Sequence, residues 1–215
     1  MLHDLLARRR AQELTIFSPE AIAFASGTYD FGNVHFDTPG LSLLKGDSVT
    51  IDAATLTLSN GSPSGAECGQ AGVPACGDGS LKIDATEIDF GWGTLNMYGF
   101  GGNVTLAASN GMFMGGRGTV DFGPAALNLE TPYLGDRGYT APPGVSYPTP
   151  SLVLTTTGAV DITDPTHAKA PDETGTPGSS LTIDGHSVTV TDAELRHTHE
   201  ISASGSAPDA ARTKV

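Results

Sequence analysis

A short apolar phrase recurs along this chain and leaves few folds open to it: two apolar residues one apart, a gap, then two more. It reads Val49, Ile51, Leu56, Leu58; Leu81, Ile83, Ile88, Phe90; Val120, Phe122, Leu127, Leu129; and Leu181, Ile183, Val188, Val190, with the same seven-residue offset between the pairs each time. A fifth copy, Leu152, Leu154, Val160, Ile162, is offset by eight, and the five starting positions lie 32, 39, 32 and 29 residues apart. Repetition at such a period marks stacked supersecondary units.

The parity of the offset sharpens this. Side chains on a straight strand alternate faces, so Ile51 and Leu56 would point to opposite sides unless the chain bends between them. The step after the first pair is Asp52-Ala53, Asp84-Ala85, Asp184-Gly185 or Gly123-Pro124. Asp bonds its own backbone and Gly accepts positive φ, so these are corner residues. Each phrase therefore reads as two short strands meeting at a bend with both apolar pairs turned inward, the cross-section of a β-solenoid. Leu95 with Met97 and Val104 with Leu106 read as extra strands within the 39-residue interval, and Leu14/Ile16, Ile22/Phe24 and Leu41/Leu43 as weaker versions upstream.

Composition agrees with an all-β chain. Of 215 residues 38% are hydrophobic, enough for a core, while 28 glycines and 14 prolines argue against long helices. The formal charge of −13 argues against nucleic acid, because phosphate binding needs clustered Lys and Arg, and only Lys45 and Lys82 are cationic between Ala11 and Gly116. No stretch reaches the roughly 18 apolar residues of a membrane helix.

Residues 1–13 read as a short amphipathic helix or cap, residues 14–201 as the solenoid and residues 202–215 as a polar tail. The first segment lacks the form of a secretory signal, since Arg8 to Arg10 follow its apolar residues. A solenoid needs covered ends. The absence of a comparable cap after Leu195 predicts further rungs in a longer exported protein. Three Gly/Pro/Ser-rich excursions, residues 59–79, 130–150 and 163–179, are expected to project from the stack. Cys68 and Cys76, both in the first excursion, are spaced to close a small disulfide ring, with two idle thiols as the other reading.

No catalytic phrase emerges. Asp52, Asp84, Asp121 and Asp184 recur with the backbone corner, whereas catalytic carboxylates are placed once. Asp121 and Asp136 are the carboxylates whose substitution would test a hydrolase. GGRGTVDF (residues 115–122) is a single degenerate copy of a calcium nonapeptide, and His197-Thr198-His199-Glu200 lacks a third ligand, so neither metal nor cofactor is expected. Trp92, Tyr98 and Phe100, set among glycines, are candidates for glycan contact, against the alternative of an aromatic stack within the solenoid.

The phrases GDSVTIDAATLTLSNG and GTLNMYGFGGNVTLAASNG and the Gly/Ala/Ser/Thr-rich texture over residues 40–200 resemble the filamentous haemagglutinin family of large bacterial exoproteins. The resemblance implies a right-handed parallel β-helix with projecting loops, exported by two-partner secretion through an outer-membrane transporter. It implies a secreted or surface-displayed structural or adhesive segment, with a host-cell or glycan ligand and no enzymatic activity. The family's N-terminal secretion domain and leader are not found here, so the chain reads as an internal or C-terminal part. A β-helix hydrolase or lyase acting on polysaccharide is the alternative.

Overall fold

The computed structural model describes residues 13–43, 48–62, 78–138, 148–169, 176, 178–196 and 200–204. Among these residues the regular structure is all strand, and every strand pairs in parallel, in one eleven-stranded and one seven-stranded sheet. The expected N-terminal helix, Cys68, Cys76, His197 and His199 lie outside the described residues. The parallel pairing is consistent with a β-solenoid-like fold.

The chain passes repeatedly between the two sheets. Strands β1 (Leu14–Phe17), β2 (Ile22–Phe24), β3 (Gly27–Asp30), β4 (Asn33–Asp37), β5 (Gly40–Leu43) and β6 (Ser48–Ser59) make the first passages. There follow β7 (Ser80–Phe90), β8 (Gly93–Tyr98), β9 (Asn103–Met114), β10 (Arg117–Asp121), β11 (Ala126–Glu130) and β12 (Tyr133–Asp136). The last are β13 (Ser151–Thr155), β14 (Ala159–Thr163), β15 (Ser180–Asp184), β16 (Ser187–Thr191), β17 (Glu194–Arg196) and β18 (Glu200–Ser204), the last running past residue 201. The smaller sheet, in the order β2-β5-β8-β10-β13-β15-β18, forms one face. The larger sheet forms two columns: β3, β6, β7, β9, β11, β14 and β16 pair through their first halves, and β1, β4, β6, β7, β9, β12 and β17 through their second.

Register explains burial. Val49, Ile51, Leu56 and Leu58 are all buried although the last two have the opposite parity to the first two, and so are Leu81, Ile83, Ile88 and Phe90. Both strands therefore bend between their pairs, as the parity argument requires. One inward column runs Val49, Leu81, Val104, Leu127, Val160, Val188 through successive pairings. Burying a Val, Leu or Ile side chain contributes about 1.5–3 kcal/mol, so this column and its neighbours dominate the core.

The repeat itself differs from the sequence expectation. Pairings such as Gly27 with Val49, Leu81 with Val104 and Val104 with Leu127 set a basic turn of 22 or 23 residues. The apparent interval of about thirty arises where excursions lengthen a turn, as between Val49 and Leu81. Moreover, the five phrases are not equivalent. The copies at 49–58 and 81–90 span the bend inside the larger sheet, whereas those at 120–129, 152–162 and 181–190 cross from the smaller sheet to the larger. Two different corners impose the same parity in four of the copies, so they write the same phrase, while the copy at 152–162 turns the corner with one residue more.

Two further corrections concern corners and excursions. Asp121 does form a turn, its Oδ1 accepting from Gly123 N at 2.8 Å, where Gly123 has φ +60°. Asp84 instead takes Lys82 at 2.9 Å. Buried threonines make the same two-residue turn: Thr38 Oγ1 accepts from Gly40 N, Thr131 Oγ1 from Tyr133 N and Thr156 Oγ1 from Gly158 N. The excursion expected at 130–150 begins with a strand, since β12 is buried throughout and pairs with β9 and β17.

Candidate functional site

Two clusters on the outer surfaces of the sheets hold the charged and polar groups that chemistry needs. The first lies on the second column of the larger sheet. Glu87 and Asp89, two apart on β7, face outward beside Gly111 and Phe113 of β9. Arg137 follows β12, and its Nη2 donates to Glu87 Oε2 at 2.7 Å and to Asp89 Oδ1 at 3.3 Å. The guanidinium carbon sits 3.9 Å from the Phe113 ring centroid, and Phe113 packs against Tyr133 at 5.5 Å. Glu87 Oε1 also accepts from Asn110 Nδ2 at 2.6 Å. Burial raises the Asp89 carboxyl above its ordinary value; the Arg137 charge pulls it back and Glu87 pushes it further up.

This is a small second core outside the sheet. Gly111 permits it, since a Cβ there would come within 2.8 Å of the Phe113 ring. Tyr133 is fully buried and its hydroxyl donates to the Asp136 carbonyl at 2.8 Å. The buried Asp136 carboxylate accepts from Gly138 N at 2.9 Å and from Thr176 N at 2.6 Å, joining the chain just after β12 to the end of the later excursion. Asp121 and Asp136, the carboxylates marked for a hydrolase test, thus both bind backbone N–H groups. Glu87 and Asp89 form a carboxylate pair held by one guanidinium, and Asp30, Asp52 and Asp84 are register partners on neighbouring strands, the last bonded to Lys82.

The second cluster is a groove of about 460 Å³ on the outer face of the smaller sheet. Its floor is built from β8, β10, β13 and β15, through Thr94, Arg117, Thr119, Ser151, Val153 and Ser180. Inward neighbours fix which residues face out: Leu95, Val120, Leu152, Leu154 and Leu181 are buried, so the alternate positions meet solvent. Register places Thr94 beside Thr119, and Arg117 beside Ser151 beside Ser180. Thr149, Pro150 and Gly178 supply the wall from the two excursions on either side of β13 and β14. Gly93 and Gly118 keep one end low: a Cβ on Gly93 would stand 2.0 Å from the Asn60 carbonyl, and φ there is +89°.

The three aromatic candidates separate. Trp92 exposes 45% of its surface and lies against Gly116, beside the residues that begin the groove. Tyr98 and Phe100 are 3% and 1% exposed, and the Tyr98 hydroxyl accepts from Asn96 Nδ2 at 2.9 Å. Of the three, Trp92 alone offers a ring face to a ligand. Among the described residues no three His, Cys, Asp or Glu side chains converge on a metal-sized site, and no helix is long and apolar enough to cross a membrane.

Arg117, Arg137, Glu87 and Asp89 were not legible as site residues. Their partners lie one or two turns away in sequence, and those pairings follow only from the register. The available signal was charge: in a chain so poor in cations, an Arg outside the N-terminal run is worth placing in the fold. No family model, no curated protein and no solved structure matches the chain.

Proposed function

We propose that the chain is a right-handed parallel β-helix segment with projecting loops, belonging to a secreted or surface-displayed exoprotein of the filamentous haemagglutinin kind, and that it acts by presenting surface and not by catalysis. The observation that carries the reading is the parallel pairing of strands in register through the described residues, apolar inside and hydroxyl-rich outside. Such a stack gives rigidity and an extended face. Right-handedness follows from the general chirality of parallel crossovers, about 98% of which are right-handed. Export through an outer-membrane transporter and display at the bacterial surface belong to the same reading, which rests on the sequence resemblance.

The clusters support binding over turnover. A glycosidase needs one carboxyl free to give a proton and another free to attack or to activate water. Glu87 and Asp89 share Arg137, while Asp121 and Asp136 are bonded to backbone N–H groups. The groove, by contrast, offers hydroxyls, one cation and an adjacent exposed indole, a set suited to holding a saccharide without cleaving it. A glycan array and host-cell binding assay on the purified chain, run beside a reducing-end and unsaturated-product assay on the glycans retained, tests this. Retention without product is the expected result. Release of reducing ends or unsaturated sugars would replace the reading with the polysaccharide hydrolase or lyase, and no retention on any surface would reduce the segment to a spacer.

A further inference from the structure

The groove on the smaller sheet holds a cation with no carboxylate partner among the described residues. Lys82 pairs with Asp84, and Arg137 is shared by Glu87 and Asp89, whereas Arg117 forms no ion pair there. Its guanidinium is oriented at one point: Nε donates to the Thr149 carbonyl at 3.1 Å. In a chain of net charge −13, an arginine that lines a groove and has no carboxylate partner among the described residues is a selective place for an anion.

The fixed bond also says how the anion is met. Guanidinium recognises a carboxylate through two parallel N–H groups in a rigid fork. With Nε directed to Thr149, the fork that remains is the Nη1/Nη2 end, and the bond restricts its orientation, which lowers the ordering cost of binding. Around it are neutral hydroxyls. Thr94 and Thr119 are register partners on adjacent strands, and Ser180 Oγ donates to Ser151 Oγ at 2.9 Å. Hydroxyls both donate and accept, so they match the ring hydroxyls of a sugar. A phosphate or other polyanion would call for further cations, which the groove lacks. The groove's volume falls within the roughly 300–1,000 Å³ of small-ligand sites, and it runs across strands spaced about 4.8 Å apart, a step comparable with one pyranose unit.

We infer that this groove is a subsite for an acidic saccharide, in which a uronate carboxylate is taken end-on by Nη1 and Nη2 of Arg117 while ring hydroxyls meet Thr94 and Thr119. The inference deepens the adhesive reading and rests on it for the ligand being a glycan. Trp92, exposed and lying against Gly116 just before Arg117, supplies an apolar platform for the neighbouring sugar unit.

Calorimetry on the full chain with a tetrasaccharide of galacturonic acid, and with its methyl-esterified form, tests the assignment. The free acid should bind about tenfold or more tightly than the ester, since the ester lacks the charge that the fork requires. Arg117→Gln should lose about as much, and Arg117→Lys should fall between, keeping charge without the fork. The exposed position of Arg117 lets both variants be checked for wild-type circular dichroism and melting. Equal binding of acid and ester, or unchanged binding by Arg117→Gln, would overturn the inference. Displacement of the tetrasaccharide by inorganic phosphate as readily as by monomeric galacturonate would overturn its saccharide part. If the chain retains neutral glycans but not the uronate, the adhesive reading stands and this subsite fails; if it retains no glycan, both fail.

Discussion

Two places in the stack lose a strand, and they close the gap differently. Between β6 and β7 the described residues hold no strand of the smaller sheet, and β5 pairs directly with β8, skipping one turn. Between β14 and β15 the described residues hold no strand of the larger sheet's second column, and β12 pairs directly with β17. The first closure is offset. β8 meets β10 with residues 93–96 and β5 with residues 96–98, overlapping only at Asn96. It depends on a missing side chain, because a Cβ on Gly40 would stand 2.5 Å from both the Asn96 carbonyl and the Tyr98 ring. The second closure is flush, with Leu134 paired to Met112 on one side and to Leu195 on the other. It is backed from outside by the Phe113, Tyr133 and Arg137 cluster. A parallel stack thus tolerates loss of a layer in two ways: by thinning the backbone at the join, or by keeping register and adding a second core.

The comparison can be broken first at the apolar seam that both closures share. Leu41 and Leu134 are fully buried on β5 and β12. Leu41→Ala and Leu134→Ala should each cost about 2–5 kcal/mol in chemical denaturation, the range for a truncated buried leucine. A loss below about 1 kcal/mol at either site would show that its closure is not packed as described. Gly40→Ala separates the two. Overpacking costs about 1–3 kcal/mol, and hydrogen exchange should show the loss centred on β5 and β8 while β12 and β17 keep their protection. Equal loosening at both joins would mean that the closures are one cooperative unit.

How much of this was legible depended on whether information lay along the strand or between strands. The apolar pairs at 49–58, 81–90, 120–129 and 181–190 are turned inward as the parity argument predicts, save that Val188 and Val190 are only partly buried, and the pairs at 152–162, offset by eight, are buried too. Val34 with Phe36, and Met112 with Met114, carry the same pattern at the same register but are set off from their partners by short corners, and escaped notice. The period misled because two chemically different corners share one parity, and because excursions of varied length hide a turn of 22 or 23 residues. β12 was hidden inside a Pro- and Gly-rich stretch whose composition outweighed four residues of strand. The groove was invisible for a related reason: Thr94, Arg117, Ser151 and Ser180 become neighbours only once each turn is aligned with the next.

The smallest expected effect concerns pH and the second closure alone. Burial raises the Asp89 carboxyl in the folded chain, with Arg137 opposing and Glu87 adding to the shift. A carboxyl raised by folding contributes stability that is fully present below its unfolded value, about 3.9, and is lost as pH rises through the folded value. The advantage of the native chain over Asp89→Asn should therefore be larger near about pH 3.5 than near about pH 7. Melting temperatures of the two chains across that window measure it. A constant difference would show that Arg137 fully offsets the burial of Asp89.

A turn present on two sides of a stack and absent on the third is a wedge roughly 4.8 Å thick, the spacing of neighbouring strands. Between β6 and β7 a layer is skipped in the smaller sheet, where β5 meets β8, and between β14 and β15 a layer is skipped in the larger, where β12 meets β17. Successive wedges driven from different sides steer an axis. The placement of loops in this sequence therefore acts as a set of steering instructions for the rod, and deleting the turn that bridges either join should straighten it there.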